Sequence, residues 1–275
     1  MRMDQLLSER GLASSRAQAQ RLIAAGVQWR VDGSAGWRRV AKNGDEVPPD
    51  AQIELLDTAE SRYVSRGGLK LEGALKATGI PVSGKVCLDV GQSTGGFTDC
   101  LLQQGALHVV GVDVGYGQVH DKVRNDARVT CIERVNARAL DASHLTSDLI
   151  AENDQPTLAM VQNHSEFDFV TGDLSFISLT LVLPALVPLL KRGGDLLMLV
   201  KPQFELQPGQ VGKGGIVKDP ALHQVVEQRI RDACAALALD VQGWLDSAII
   251  GGDGNREYFV WARRAGDPAT GQQTP

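Results

Sequence analysis

A single stretch, Cys87-Leu88-Asp89-Val90-Gly91-Gln92-Ser93-Thr94-Gly95-Gly96-Phe97-Thr98-Asp99, joins an apolar strand to a glycine-rich turn and the start of a helix. A second strand-like run, Val109-Val110-Gly111-Val112-Asp113, follows and ends in an acidic residue. A strand, a glycine-rich turn, a helix and a second strand are typical of a nucleotide-type site at the carboxyl edge of a parallel sheet. The stretch therefore predicts an α/β fold with a cofactor site at this edge.

The spacing of the glycines distinguishes two kinds of cofactor. Gly91, Gly95 and Gly96 form Gly-x-x-x-Gly-Gly, whereas dinucleotide-binding turns have Gly-x-Gly-x-x-Gly. Asp89, at the mouth of the turn, would repel a pyrophosphate and attract a cationic ligand such as S-adenosylmethionine. Asp113 lies 22 residues after Gly91, which suits an acid that accepts hydrogen bonds from a ribose diol. The pattern favours S-adenosylmethionine, with a nicotinamide dinucleotide as the alternative.

Charge is unevenly distributed along the 275 residues. The whole chain has a net charge of −5, but residues 1–42 carry +5 and the remainder −10. A basic end on an acidic body predicts a partner such as RNA that is bound at one end. Trp29 could stack on unpaired bases, although packing in a small core is the favoured interpretation. The candidate RNA-binding residues of this end are Arg2, Arg10, Arg16, Arg21, Arg30, Arg38 and Arg39.

The remaining composition argues against several other classes of protein. The four cysteines form no Cys-x-x-Cys pair and the five histidines show no ligand spacing, so we expect no metal site. Scattered cysteines are typical of a reducing compartment. The sequence has neither a signal-peptide core at its start nor an apolar run long enough to span a bilayer. We therefore expect a cytoplasmic protein without a membrane partner.

Turn and cap signals divide the chain into a short first segment and a long second one. Ser15, with Gln18 three residues later, forms a capping-box pattern and predicts a helix through Ala25. The dipeptide Asp32-Gly33 predicts a hairpin turn. We expect a small α+β domain over 1–57, a linker over 58–64, a doubly wound α/β domain over 65–264 and a disordered tail over 265–275.

The second segment alternates strands and helices. Helices are predicted over 69–77 and 220–239, and the polar segment 153–165 predicts a loop. The turn-rich run Gly251–Asn255 predicts that the last two strands form an antiparallel hairpin. The strands are predicted at 86–90, 109–113, 129–132, 167–171, 195–200, about 241–250 and 257–263.

Five motifs stand out in the second segment. They are Ser65-Arg66-Gly67-Gly68-Leu69-Lys70-Leu71, Asp89-Val90-Gly91 with Ser93–Asp99, Gly172-Asp173-Leu174-Ser175-Phe176-Ile177-Ser178, Lys201-Pro202-Gln203-Phe204-Glu205 and Gly254-Asn255-x-Glu257-Tyr258-Phe259. Together these motifs resemble one known family, the TlyA family, and the resemblance extends in register over about residues 1–264. Members of this family are historically labelled haemolysins but are understood as ribosomal-RNA 2′-O-methyltransferases related to FtsJ and RrmJ.

The resemblance implies a class I, Rossmann-like methyltransferase with a mostly parallel, seven-stranded sheet and a small N-terminal RNA-binding domain. It implies S-adenosylmethionine as the cofactor and the ribose 2′-hydroxyl of cytidine in ribosomal RNA as the methyl acceptor. The implied partner is ribosomal RNA or a ribosomal subunit, and Arg66 beside Lys70 is an additional candidate for phosphate contact. Gln92 departs from the family, which usually has a small residue there.

The family's catalytic Lys-Asp-Lys-Glu tetrad corresponds to Lys70, Asp173, Lys201 and Glu257. Lys201 is expected to act as a general base or to stabilise the developing alkoxide, and Lys70 to add a second positive charge. Asp173 would orient the lysine near the sulfonium, and Glu257 would complete the hydrogen-bonded ring. Without the resemblance, these residues read as a solvated lysine, a helix cap, the end of a strand and a surface charge.

Cofactor contacts are expected from the first glycine-rich turn and from two later loops. Asp113 is assigned to the ribose, and either Asn136 or Asp141 to the adenine edge. An RNA-binding or membrane-active haemolysin-type protein without methyltransferase activity is the alternative function. The residues expected near the methionine end are Asp89, Gly91, Ser93, Thr94 and Gly95.

Overall fold

The computed structural model describes residues 1–13, 15–31, 36–56, 62–145, 166–251 and 253–266, which belong to two compact units, Met1–Leu69 and Lys70–Pro275. The predicted turn at 32–33 and the predicted loop at 153–165 lie outside the described residues. Most of the predicted linker, 58–64, and most of the predicted tail, 265–275, also lie outside them. The domain boundaries derived from the sequence stay predictions.

The first unit is a small α+β domain, as predicted. The Ser15 hydroxyl caps the second helix by accepting the Gln18 backbone N–H at 3.2 Å. Met3, Leu7 and Leu22 belong to its core, and Trp29 packs against that core. The elements are α1 (Met3–Glu9), α2 (Arg16–Gly26), β1 (Val27–Arg30), β2 (Arg38–Arg39) and β3 (Gln52–Leu55), with an antiparallel sheet of order β2-β1-β3.

The second unit contains a seven-stranded sheet between helices, which confirms the predicted fold class. Strands β4 and β5 are buried along their whole length, as expected for parallel strands that are covered on both faces. The elements are α3 (Gly67–Thr78), β4 (Val86–Val90), α4 (Gly96–Gln103), β5 (His108–Val112), α5 (Asp121–Arg124), β6 (Val129–Ile132), β7 (Phe167–Gly172), α6 (Leu183–Leu186), β8 (Leu190–Val200), α7 (Pro202–Glu205), α8 (Pro220–Ala236), β9 (Leu239–Asp246) and β10 (Tyr258–Arg264).

The strand order of this sheet is β6-β5-β4-β7-β8-β10-β9. All pairs from β6 to β8 are parallel, and β10 is antiparallel to both β8 and β9. The predicted antiparallel hairpin of the last two strands is therefore confirmed, with Tyr258 opposite Asp246. Because β10 inserts beside β8, its first residue lies opposite Val200, at the end of β8.

The strand order reverses between β4 and β7. Strands β5 and β6 lie on one side of this point, and strands β7 and β8 lie on the other. The loops after two such strands leave a crevice at the carboxyl edge, where ligands bind. The backbones approach closely here, because Asp173 donates its N–H to the Val90 carbonyl at 3.1 Å. A Cβ on Gly172 would lie 2.4 Å from the Val90 oxygen, and one on Gly91 would lie 2.8 Å from the Asp173 oxygen. This crevice therefore requires glycine at both positions.

Several predicted boundaries differ from the structure, among them the strand predicted at about 241–250, which ends at Asp246. Two of the differences have identifiable reasons. Strand β8 begins at Leu190 rather than at 195. Gly193 and Gly194 read as a turn in the sequence, but they lie inside the strand, where the pairing with β7 shifts register and Gly193 has a φ of +74°. Helix α8 ends at Ala236 rather than at 239, because Ala238 has a φ of +54°, which a right-handed helix cannot contain.

Gly111 on β5 should be intolerant of a side chain, because Gln92 occupies the space above it. A Cβ at position 111 would lie 2.0 Å from the amide carbon of Gln92, which is buried and donates to the Thr98 hydroxyl at 3.0 Å. We expect Gly111→Ala to lower the free energy of unfolding by about 1–3 kcal/mol, measured by chemical denaturation. Gln92→Ser in the same chain should recover most of this loss.

The matched control is Gly209→Ala, since a Cβ at Gly209 would have no neighbour within 4 Å among the described residues. This control should leave the unfolding free energy nearly unchanged. Equal losses for the two alanine variants, or a loss at 111 that Gln92→Ser does not reduce, would contradict the steric explanation.

Candidate active site

The four tetrad positions come from four different elements at one edge of the large sheet. Lys70 lies in the first turn of α3, Asp173 directly follows β7 and Lys201 directly follows β8. Glu257 directly precedes β10. The antiparallel direction of β10 turns its beginning toward the ends of the parallel strands, so Glu257 reaches the same edge.

The structure brings these four side chains into one ion-paired chain. Lys201 Nζ lies 2.5 Å from Asp173 Oδ1, and Lys70 Nζ lies 3.5 Å from Asp173 Oδ2. Lys70 Nζ also lies 2.7 Å from Glu257 Oε2. Lys201 further donates to the Ser175 hydroxyl at 2.8 Å. Asp173 is thus shared by both ammonium groups.

Burial makes these pairs mutually dependent. Glu257 is 3% exposed and Lys70 is 8% exposed, so bulk water could not replace the partner of either charge. Loss of one partner would therefore leave the other as an uncompensated buried charge. Gly251 leaves room for the carboxylate, because a Cβ there would lie 2.6 Å from Glu257 Oε1. Two ammonium and two carboxylate groups balance the charge of the cluster.

A first cavity of about 490 Å³ opens at the crevice between β4 and β7. The backbone around Gly91 and the residues after β5 and β7 form its walls. Asp173 belongs to its lining, so the ion-paired chain borders this cavity. The lining residues are Gly91, Ser93, Val112, Asp113, Val114, Gln118, Val135, Asn136, Ala137, Asp173, Leu174, Ser175, Phe176 and Ile177.

A second cavity of about 520 Å³ lies on the other side of the loop that follows β7. Lys70, Lys201 and Glu257 line it, so three tetrad members border this space and Asp173 borders the first one. Both cavities share Ser175 and Phe176. The other lining residues are Gln203, Phe204, Val211, Gly215 and Asp253. We call this second space the acceptor cavity, because the methyl acceptor is expected beside Lys201.

Phe176 and Ser175 are candidate functional residues that the sequence reasoning missed. Phe176 is 90% exposed and has a φ of +64°, an unusual conformation for a bulky residue. Its ring lies 5.1 Å from that of Phe204. An exposed aromatic in a strained turn between two cavities is typical of a ligand contact rather than of core packing. Both residues belong to the motif Gly172–Ser178, but only the tertiary structure shows that they border the two cavities.

The sequence-predicted cofactor residues fall into two groups in the structure. Gly91, Ser93, Asp113 and Asn136 line the first cavity. Asp113 closes the turn by accepting the N–H of Ser93 at 2.7 Å and that of Gly115 at 2.6 Å. Its carboxylate oxygens retain lone pairs, since each of these contacts uses one.

The other predicted cofactor residues do not belong to the lining of this cavity. Asp89 is fully buried and accepts the Thr98 hydroxyl at 2.7 Å, and burial raises the pKa of its carboxyl to about 7. Thr94 is exposed, and Gly95 is buried at the start of α4 against Val123. Asp141 is exposed and accepts from Ser143. Asp89 therefore belongs to the packed interior beneath the turn, and its predicted cofactor contact has no counterpart in the lining.

The predicted RNA-binding arginines are distributed over the first unit. Arg2 and Arg16 pair with Asp4, and this contact with Arg2, opposed by burial, lowers the pKa of Asp4 to about 2. Arg10 donates to the backbone carbonyls of Pro49 and Ala51. Arg30 lies over the Trp37 ring and Arg38 over the Trp29 ring. Arg21 and Arg66 are half-buried, and Arg39 is exposed on β2.

Among the described residues no group of three or more His, Cys, Asp or Glu side chains could hold a metal ion. No helix in the described part of the chain has the length and apolarity to cross a membrane.

The fold and the two cavities define a class I methyltransferase, and residues 63–264 match the model of the FtsJ-like methyltransferase family. Residues 1–26 match the S4 domain. The chain belongs to the TlyA family of these enzymes, as its motifs predicted. It is 44% identical to the 16S/23S rRNA (cytidine-2'-O)-methyltransferase TlyA of Mycobacterium tuberculosis, over 98% of this chain and 91% of that protein.

Two further similarities extend over nearly the whole chain. Hemolysin A of Brachyspira hyodysenteriae is 35% identical over 94% of this chain and 98% of its own length. A solved structure of a hemolysin-named protein from Streptococcus thermophilus has a TM-score of 0.70 and 36% identity, over 98% of this chain and 92% of that one. The haemolysin name and the methyltransferase name thus occur within one group of similar proteins.

Proposed function

We propose that this protein transfers a methyl group from S-adenosylmethionine to the ribose 2′-hydroxyl of a cytidine in ribosomal RNA. The observation that carries this proposal is the shared Asp173, which borders the first cavity while its two lysine partners border the acceptor cavity. An ion-paired chain in this position can act on an acceptor oxygen next to a bound donor.

The first cavity suits S-adenosylmethionine in shape and in charge. The glycine at position 91 leaves a cradle that a Cβ would fill, and the carboxylates of Asp113 and Asp173 favour a cationic ligand. Val112, Val135 and Ile177 offer apolar walls for a purine ring. When bound, the cofactor supplies an electrophilic methyl group, and its sulfur keeps the C–S electron pair.

The acceptor side would be controlled by Lys201. A ribose hydroxyl is a weak nucleophile, so its proton must leave as the new C–O bond forms. Lys201 Nζ either stabilises the alkoxide by charge as an ammonium group or, after first releasing its own proton to solvent, takes the hydroxyl proton as a neutral amine. Asp173 and Ser175 hold this nitrogen at 2.5 and 2.8 Å. Lys70 adds a second positive charge and is itself held by Glu257. Alignment of donor and acceptor can contribute up to about 7–11 kcal/mol.

Recognition of the RNA would involve both units. The S4 match and the basic residues of the first unit support phosphate binding, which is the main source of RNA affinity. Phe176 offers an exposed ring on which a base could stack at the rim of the acceptor cavity. Cytidine and ribosomal RNA are the substrates in the names of the similar TlyA proteins. Such a substrate implies action on ribosomes or their subunits in the cytoplasm.

The proposed function is tested by methyl transfer from a radiolabelled donor. Purified protein is incubated with protein-free ribosomal RNA, isolated subunits and whole ribosomes from cells that lack this enzyme. The expected product is alkali-resistant RNA that yields labelled 2′-O-methylcytidine after digestion. Label on a base, or no label with any of the three substrates, would contradict the proposal. Liposome leakage without methyl transfer would support the haemolysin-type alternative instead.

A further inference from the structure

Asn255 is a buried polar residue that takes no part in the ion-paired chain. It is 1% exposed, and its side-chain amide bonds a segment about 40 positions earlier in the chain. Its Oδ1 accepts the Val217 backbone N–H at 2.9 Å, and its Nδ2 donates to the Gly215 carbonyl at 2.8 Å. One amide thus satisfies a donor and an acceptor of the same turn.

The turn that Asn255 holds forms part of the wall of the acceptor cavity. Val211 and Gly215 line this cavity, and Gly212 closes the turn by donating to the Ile216 carbonyl at 3.1 Å. Gly214 and Gly215 have φ values of +77° and +80°. Because adjacent glycines restrict the backbone little, the shape of this wall depends on external hydrogen bonds.

Asn255 also holds Asp253, which in turn binds Gln203. Asp253 Oδ2 accepts Asn255 Nδ2 at 2.9 Å and Gln203 Nε2 at 3.0 Å. Asp253 Oδ1 accepts the Asn255 backbone N–H at 3.0 Å. Both Asp253 and Gln203 line the acceptor cavity, and Glu257 follows Asn255 by two residues. Asn255 therefore connects three parts of this wall without bordering the cavity.

We propose that Asn255 is a positioning residue that sets the shape of the acceptor cavity and thereby the fit of the target nucleotide. This inference rests on the proposed function, because it assumes that the cavity receives the nucleotide. Asn255 acts through the turn at 211–217 and through Asp253. A carboxylate at 255 could still accept from Val217 but could not donate to Gly215. Alanine could do neither.

The first test compares Asn255→Ala and Asn255→Asp with the wild-type protein in methyl transfer to ribosomal RNA. We expect kcat/KM for RNA to fall about 10- to 100-fold, mainly through a higher KM, because the acceptor is misplaced. The Kd for S-adenosylmethionine, measured by calorimetry, should change less than about twofold, since Asn255 does not line the first cavity. An unchanged KM for RNA, or equal weakening of both ligands, would overturn the proposal.

A matched control separates positioning from general loss of stability. Asp195 is also buried and accepts from Trp261 and Arg263, but it lies in the middle of β8, opposite Arg263 and therefore near the end of β10 that is remote from Glu257. Asp195→Asn should lower the melting temperature while leaving the KM for RNA unchanged. If it raises that KM as much as Asn255→Asp does, the effect is one of stability and the proposal fails.

Hydrogen–deuterium exchange provides a readout that does not depend on the proposed function. In Asn255→Ala, the amides of residues 211–217 should exchange faster, while those of residues 91–93 should be unchanged. Unchanged exchange at 211–217 would overturn the proposed hold on the turn. If the wild-type protein methylates no RNA, the proposed function fails, and exchange still decides whether Asn255 holds this wall.

Discussion

Replacing Lys201 with alanine is expected to lower the rate of methyl transfer about 10²- to 10⁴-fold, since a positioned acid–base group contributes that much. The Kd for S-adenosylmethionine should stay close to that of the wild-type protein, because Lys201 lines the acceptor cavity and not the first one. Single-turnover transfer to ribosomal RNA and calorimetry of cofactor binding provide the two measurements.

Lys201→Arg distinguishes the two roles open to this amine. An arginine keeps its positive charge at every accessible pH, so it can stabilise an alkoxide but cannot accept a proton. Activity near that of the wild-type protein would identify charge stabilisation, whereas a loss as large as that of Lys201→Ala would identify proton removal. Either outcome assigns a role to a residue held by Asp173 and Ser175.

The matched control for Lys201 is Lys191→Ala. Lys191 lies on β8 at the end opposite Lys201 and pairs with Asp168 at 2.6 Å. The Lys191→Ala variant should transfer methyl groups at the wild-type rate. Lys201→Ala with activity within about threefold of the control would remove Lys201 from the mechanism, because a catalytic acid–base group contributes far more.

The second large effect is expected at Glu257. Its replacement by leucine would leave Lys70 buried with Asp173 as its remaining partner, at 3.5 Å. Removing one member of a buried ion pair costs about 3–5 kcal/mol, and the contact with Asp173 should keep the loss near the lower figure. We therefore expect a loss of about 3 kcal/mol in unfolding free energy and a strong loss of methyl transfer. Chemical denaturation and single-turnover assays measure the two effects.

The double variant Lys70→Met with Glu257→Leu separates stability from catalysis. Apolar side chains of similar volume can replace a buried ion pair without loss of stability, so the double variant should be more stable than Glu257→Leu alone. It should stay inactive, because the second positive charge of the site is gone. Recovery of activity together with stability would show that this pair only supports the fold.

Strands β4 and β6 were predictable because their signals are local. Short apolar runs bounded by polar or glycine-containing segments identified β4 at 86–90 and β6 at 129–132 with their observed bounds. The start of β8 was not predictable in this way. Gly193 and Gly194 have the local signature of a turn, and only pairing with β7 keeps them inside a strand.

The candidate site was less accessible from the sequence than the sheet. Family motifs indicated Lys70, Asp173, Lys201 and Glu257, but no local pattern places Lys70 beside a carboxylate 103 residues away. Asp89 was predicted to contact the cofactor, but its side chain is buried in the packed interior. Every residue of β4 is buried, so alternation along the strand could not tell which side chains face a cavity and which are packed in the interior.

The sequence by itself determined the class of fold, the glycine-rich turn and the family, since these depend on neighbouring residues and on motifs in register. The tertiary structure alone decided that two lysines share one aspartate between two cavities, that Phe176 faces solvent and that Asn255 holds a distant turn. The physical reason is the range of the interactions. Hydrophobic periodicity acts over a few residues, whereas these contacts exist only after the strand order has brought the loops to one edge of the sheet.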